Sequence, residues 1–369
     1  MSIRSYYSSI RRSLRPQTLL NLMAVMRRRR RTQQRQPLDR GFTLTEVLVA
    51  TIIGALIVTG LLTVMVELLT SDAREAARNE TQREMQLALD YISTDLREAV
   101  YVYDGDCLAK TASEKSGSSQ QLIDQSCSGL FSYIGVPANS TPVLAFWKLD
   151  DLPETVKRQC ATIDINEEGA PPCVSGRAYT LVVYYLTKND NDPTWAGKAR
   201  IQRFALPRFN LQGLEVTGYV NPVDSGFESW PLIDGTPQGG TTNLSGLVTL
   251  VDFVDSRPMA DIEELNENSQ ATVDCPTQYA KTPSDATLSQ FGFDGVRNFY
   301  ACIRVPDPLL AENEGASEET SSFNQKVILF IRGNAEGKPG IKSANEGFMP
   351  AIQTQVLNRG IANKVPRSQ

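Results

Sequence analysis

The chain has 369 residues, enough for one large domain or two modest ones, and its 41% hydrophobic content is that of a folded protein, which excludes a disordered polymer. The net charge of −5 hides two opposed parts: residues 1–41 hold eleven Arg, no Lys and one acid, for +10, and the remainder holds 26 basic and 41 acidic residues, for −15. An acidic body argues against nucleic acid as a ligand, and the absence of any His excludes the His-based acyl-transfer arrangements and the usual zinc sites.

The basic stretch comes first, with Arg27 to Arg31 as its densest part. It stands directly before an apolar run, so it reads as the flank that stays in the cytoplasm and not as a nucleic-acid patch. From Val47 to Val66 there are twenty residues without a charge. At about 1.5 Å per residue they span roughly 30 Å, one bilayer core. The run exceeds the roughly 7–15 residues of a signal-peptide core, and no A-x-A site follows it. A single crossing is expected, with the C-terminal bulk outside. One carboxylate, Glu46, sits at the start of this segment.

The helix is expected to continue past the membrane, because no Pro or Gly occurs between Gly60 and Gly105, giving one rod of about sixty residues. In its outer part Met85, Leu89, Ile92, Leu96, Ala99 and Tyr103 recur at spacings of four and three, an apolar stripe that needs a partner surface. The pattern then changes to β-rich runs separated by turn residues, and strands are predicted at 143–149, 178–186, 199–206, 247–254, 298–305 and 326–332. Several alternate, as expected of an antiparallel sheet with one face on a core and one in water. The stretches from Thr111, Asp234 and Glu312 read as solvated, mobile loops, and the tail after Gly333 has weak periodicity. The fold class expected is α+β, a long N-terminal helix laying its outer half on a mostly antiparallel sheet.

All six cysteines (Cys107, Cys127, Cys160, Cys173, Cys275, Cys302) follow the apolar run, the distribution expected if only that part meets an oxidising compartment. Six cysteines allow fifteen pairings. Sequential pairing is the expectation taken here, since each successive pair brackets a short loop. No catalytic site is expected. No G-x-S-x-G, P-loop or G-x-G-x-x-G stands in a strand-to-helix context, and no two acids single themselves out as a facing pair. The run Lys188 to Asp192 lacks the Gly and distal Glu of a calcium loop and reads as a turn, so no metal and no cofactor are expected. Trp147, Trp195 and Trp230 read as packing residues and not as a sugar-stacking platform.

The stretch Gly41-Phe42-Thr43-Leu44-Thr45-Glu46-Val47-Leu48-Val49-Ala50 resembles the prepilin cleavage and methylation site of type IV pilins and type II secretion pseudopilins. The resemblance implies cleavage after Gly41 by a membrane-embedded prepilin peptidase and N-methyltransferase, and N-methylation of Phe42. It also implies an assembly role for Glu46, now four residues beyond a positive amine. The implied organisation is a leader at 1–41, a transmembrane and assembly helix at 42–69, its amphipathic extension at 70–103 and a β-rich extracytoplasmic head at 104–369. The implied partners are other pilins or pseudopilins, an inner-membrane assembly platform and membrane lipid.

The segment from Ile92, "ISTDLREAVYVYDG", resembles W-like or J-like minor subunits of the family, as does "KVILFIRGN". The long loops and cysteines are similar to pseudopilins associated with hormogonium polysaccharide secretion. Two departures stand out. Thr63 occupies the position where many major pilins carry Pro, and the 41-residue leader is long. A start at Met26, giving a 16-residue leader, or at Met23 is expected instead of Met1. Two rival readings are an anchored binding or adhesion protein that never polymerises and an envelope enzyme acting on polysaccharide.

Overall fold

A computed structural model describes residues 41–109, 113–114, 126–127, 129–163, 170–190, 192–227, 229–239, 242, 244, 246–263, 275–277, 279–304, 326–343 and 346–358. Residues 1–40, nearly all of the expected leader, and most of the stretches from Thr111 and Glu312 lie outside these residues. The chain forms two compact units, 1–66 and 67–369.

Helix α1 runs uninterrupted over Leu44–Arg97. The strands that follow are β1 (Ala99–Val102), β2 (Ser113–Glu114), β3 (Ser126–Cys127), β4 (Ser140–Asp151), β5 (Arg177–Lys188), β6 (Ala199–Pro207), β7 (Leu232–Ile233), β8 (Thr236–Pro237), β9 (Val248–Val254), β10 (Tyr279–Thr282), β11 (Phe299–Arg304), β12 (Lys326–Arg332) and β13 (Ala351–Leu357). The six strands predicted from sequence are β4, β5, β6, β9, β11 and β12. The architecture is α+β and pilin-like: a long N-terminal helix followed by antiparallel sheets.

Two sheets carry the fold where one was expected. The first has the order β1-β4-β5-β6-β9 and the second β10-β11-β12-β13, with antiparallel neighbours throughout. They meet at an antiparallel bridge between Val254 and Gly333, and the Thr282 hydroxyl donates to the Val143 carbonyl at 2.8 Å.

The outer half of α1 lies in the main core. Met85, Leu89, Ile92 and Leu96 pack with Phe146, Val182 and Ile201 of the first sheet and with Phe299, Leu329 and Ile331 of the second. The expected stripe is therefore half right. Its first four members are helical, but the helix ends at Arg97 and not at Tyr103, and Ala99 belongs to β1, which pairs with β4. The reason is tertiary. "AVYV" is β-branched and aromatic, and pairing with β4 outweighs the weak helix preference of those residues.

The expectation of one wet sheet face also fails for the central strands. On β4, Val143 and Phe146 enter the main core while Ala145 and Trp147 enter a second one. β5 alternates likewise, with Val182 and Tyr184 on one side and Val183 and Tyr185 on the other. The second core is closed by Tyr103, Leu130, Phe131, Phe227 and Trp230, supplied by segments between strands. Part of the stretch from Asp234, expected to be a loose loop, belongs to this cover. It contains β8, which pairs with β7 just before it, and Thr242 is buried and bridges Ile134.

Candidate processing and assembly segment

Gly41, Phe42 and Thr43 precede the helix, and Phe42 is 79% exposed. Thr43 starts α1: its hydroxyl accepts from the Glu46 backbone N–H at 3.3 Å, and its carbonyl accepts from Glu46 and Val47 at 3.0 and 3.2 Å. This is the side-chain capping of an orphan donor that helix starts favour. Glu46 thus occupies the first turn, where a negative charge meets the positive end of the helix dipole. Sequence reasoning singled out Gly41, Phe42 and Glu46 but passed over Thr43. The signal was present, because T-x-x-E is the spacing of a capping box.

No residue in the apolar part of α1 is buried by the other described residues. Its hydroxyls are self-satisfied. Thr51 donates to Leu48 O at 2.8 Å, Thr59 to Ala55 O at 2.8 Å and Thr63 to Thr59 O at 2.9 Å. In hydrocarbon an unbonded hydroxyl would be costly, so these threonines are compatible with lipid. The segment fits a single-pass membrane anchor. With Thr63 where a Pro was noted as absent, the helix ladder runs through.

In the unit beginning at Glu67, the helix is fixed to the sheets by polar contacts that sequence gave no means of locating. Asp95 is the centre of one group. Its Oδ1 lies 3.1 Å from Lys148 Nζ, and its Oδ2 accepts from Arg203 Nε and the Tyr184 hydroxyl, both at 2.7 Å. Lys148 also reaches Glu98 at 3.3 Å and Asp150 at 2.9 Å. Burial by itself pushes the Asp95 carboxyl up, but the hydrogen bonds from Arg203 and Tyr184 and the charges of Arg203 and Lys148 outweigh it and hold the group below its ordinary value. Burial likewise opposes the Lys148 ammonium, and Asp150 and Asp95 outweigh it and raise that group. The Tyr184 hydroxyl is pushed up by burial first and then by Asp95.

The second fixing point is the segment after β12. Lys338, itself buried, reaches Glu84 at 2.9 Å and Glu80 at 3.4 Å, and its ammonium lies 4.6 Å from the centre of the Phe253 ring. Two glycines let the segment lie close to α1. A Cβ at Gly333 would stand 2.8 Å from the Thr81 methyl, and Gly340, at φ +83°, would stand 3.3 Å from the Ala73 Cβ. The Arg74 Nε donates to the Gly340 carbonyl at 3.0 Å.

Disulfides join Cys160 to Cys173 and Cys275 to Cys302. Cys107 is disulfide-bonded, and the Cys127 side chain lies outside the described residues. Trp147 and Trp230 are fully buried, with ring centres 5.7 Å apart, and Arg200 covers Trp195 at 5.2 Å. At the Lys188–Asp192 run, the Asn189 side chain accepts from the Asp192 N–H and donates to the Trp195 and Gly197 carbonyls, which closes a turn. Among the described residues no three acidic or Cys side chains gather as a metal site.

The long helix followed by antiparallel sheets has a pilin-like layout, and its apolar part fits a single-pass membrane anchor. More particularly, residues 37–62 match the prokaryotic N-terminal methylation motif, which supports a type IV pilin-like family and a subunit processed by prepilin peptidase that assembles with other pilins. No curated protein and no solved structure matches the chain.

Proposed function

We propose that the chain is a minor pilin or pseudopilin, of the W-like or J-like kind, inserted with its N-terminus in the cytoplasm, cleaved after Gly41 and methylated at Phe42. It then enters a short filament or filament tip that serves secretion, of polysaccharide among the cargoes its long-looped, cysteine-bearing head resembles, or motility. The reading rests on the methylation-motif match at residues 37–62, in which Glu46 is the first charge of an apolar helix. Its role is mechanical and not catalytic.

The physical logic of Glu46 is pairing. Cleavage creates a cationic amine at Phe42, and methylation keeps that charge. In a bundle of apolar helices an isolated carboxylate or amine is expensive, so the amine of one subunit and Glu46 of the next are stable only together. The pair sets the axial register of neighbouring helices. The inner-membrane platform and surrounding lipid hold the subunit until it is incorporated.

Mass spectrometry of the mature N-terminus tests the processing step: an N-methyl-Phe start at residue 42 is expected, and an intact leader sinks the reading in favour of a plain anchored binding protein. Glu46→Ala tests assembly. It should leave membrane insertion intact and remove the subunit from sheared filament fractions; unchanged incorporation would overturn the pairing role.

A further inference from the structure

Four strands form the edges of the two large sheets, and three of them are unsuited to pairing with another chain. β1 is four residues long and wholly buried. β9 is broken by register shifts against β6 and has Phe253 at φ +60°. β10 is four residues long and carries Lys281. Short, bulged or charged edges are how proteins avoid edge-to-edge association.

β13 departs from this. It pairs with β12 over seven consecutive residues without a register shift, and its sequence, AIQTQVL, has no charge and no Pro. Ala351, Gln353, Gln355 and Leu357 are exposed, and none of the hydrogen bonds of the described residues joins its outer edge to another segment.

The order of these residues identifies what fits. Around Thr354 the strand is a chemical palindrome. An antiparallel copy centred there sets Ala351 against Leu357, Ile352 against Val356, Gln353 against Gln355 and Thr354 against itself. Each pair matches in character: apolar with apolar, amide with amide, hydroxyl with hydroxyl. Opposed residues in an antiparallel pair share a face, so the exposed residues pair with exposed ones and the inward ones with inward ones. A two-fold contact demands this self-complementarity, because the same patch must serve both sides.

We propose that β13 is a self-association edge, pairing antiparallel with β13 of a second copy of this chain about Thr354 to join two four-stranded sheets into one of eight. The contact is independent of N-terminal processing, so it stands or falls apart from the filament reading.

Cysteine crosslinking of the full-length protein in its membrane tests it. At the two-fold axis, Thr354→Cys places two thiols on directly opposed residues, whose Cα atoms lie about 4.5–5.5 Å apart, within disulfide reach. Ala351→Cys, on the more exposed face, stands about 20 Å from its own copy at roughly 3.4 Å per residue. Mild oxidation should therefore give a band of twice the chain mass at least tenfold more strongly for Thr354→Cys than for Ala351→Cys. A mixture of Gln353→Cys and Gln355→Cys chains should crosslink more than either alone. Adding Gln353→Lys and Gln355→Lys to Thr354→Cys sets lysines opposite each other and should abolish the band. Equal crosslinking at 354 and 351, a band insensitive to the lysines, or a crosslink to a protein of another mass overturns the proposal.

Discussion

The two halves of α1 are built from one uninterrupted helix but have opposite surroundings. Between Leu44 and Val66 every large apolar side chain is about half exposed or more, and none is buried by the other described residues. Between Met85 and Leu96 the apolar positions are reduced to a stripe, and its members are 0–2% exposed against two sheets. The first half is apolar all round, as lipid or neighbouring helices require; the second is amphipathic, as a protein core with water outside requires. Composition alone thus separates the half left open by the described residues from the half that packs against the sheets.

Four substitutions sharpen this contrast. The largest effect is expected at Asp95, where Asp95→Asn leaves Lys148 and Arg203 partly buried without their shared anion. A loss of about 3–5 kcal/mol is expected in denaturant unfolding of the detergent-solubilised protein. The loss should depend on pH. The folded carboxyl titrates below its ordinary value of 3.8, so its contribution is fully present above that value and disappears as the pH falls through the folded value. Wild type and variant should therefore differ at pH 7 and converge below pH 3.8; a constant difference would count against the charge as the cause.

Next comes a matched pair. Leu96→Ala removes a fully buried side chain and should cost about 2–5 kcal/mol, while Leu56→Ala, in the exposed half, should leave the same unfolding curve within about 0.5 kcal/mol. Equal effects would erase the distinction between the halves. The smallest loss among the buried positions is expected for Lys338→Met. Its partners Glu80 and Glu84 are 63% and 34% exposed at the side chain, so solvent screens the pairs and only about 1 kcal/mol is expected. Amide exchange in α1 around residues 80–84 should rise in this variant while exchange around Leu96 stays as in wild type.

The apolar helix was legible in the sequence, because its properties are local. A charge-free run, an Arg-rich flank and the block from Gly41 to Ala50 each act through adjacent residues, and the helix they describe begins where Thr43 caps it. The strong strands were legible for a similar reason. β5 is rich in β-branched and aromatic residues, and the centre of β4 holds Val143, Phe146 and Trp147. β10 and β13 were missed because four residues with a Lys, or a run with two Gln and no strong apolar face, carry little periodic signal. Only pairing with β11 and β12 makes them strands.

What the sequence by itself determined is the division of labour along the chain: a charged flank, an apolar helix, an amphipathic continuation and a β-rich, cysteine-bearing head. Hydrophobic periodicity and charge are properties of neighbouring residues, so they survive being read one after another. Tertiary structure decided that the helix stops at Arg97 and that the central strands bury both faces. It also gathered Asp95, Lys148, Tyr184 and Arg203, up to 108 residues apart in the chain, into one ionic group. Those outcomes depend on which distant segment arrives beside each residue, and burial and pairing energies of that kind have no local signature.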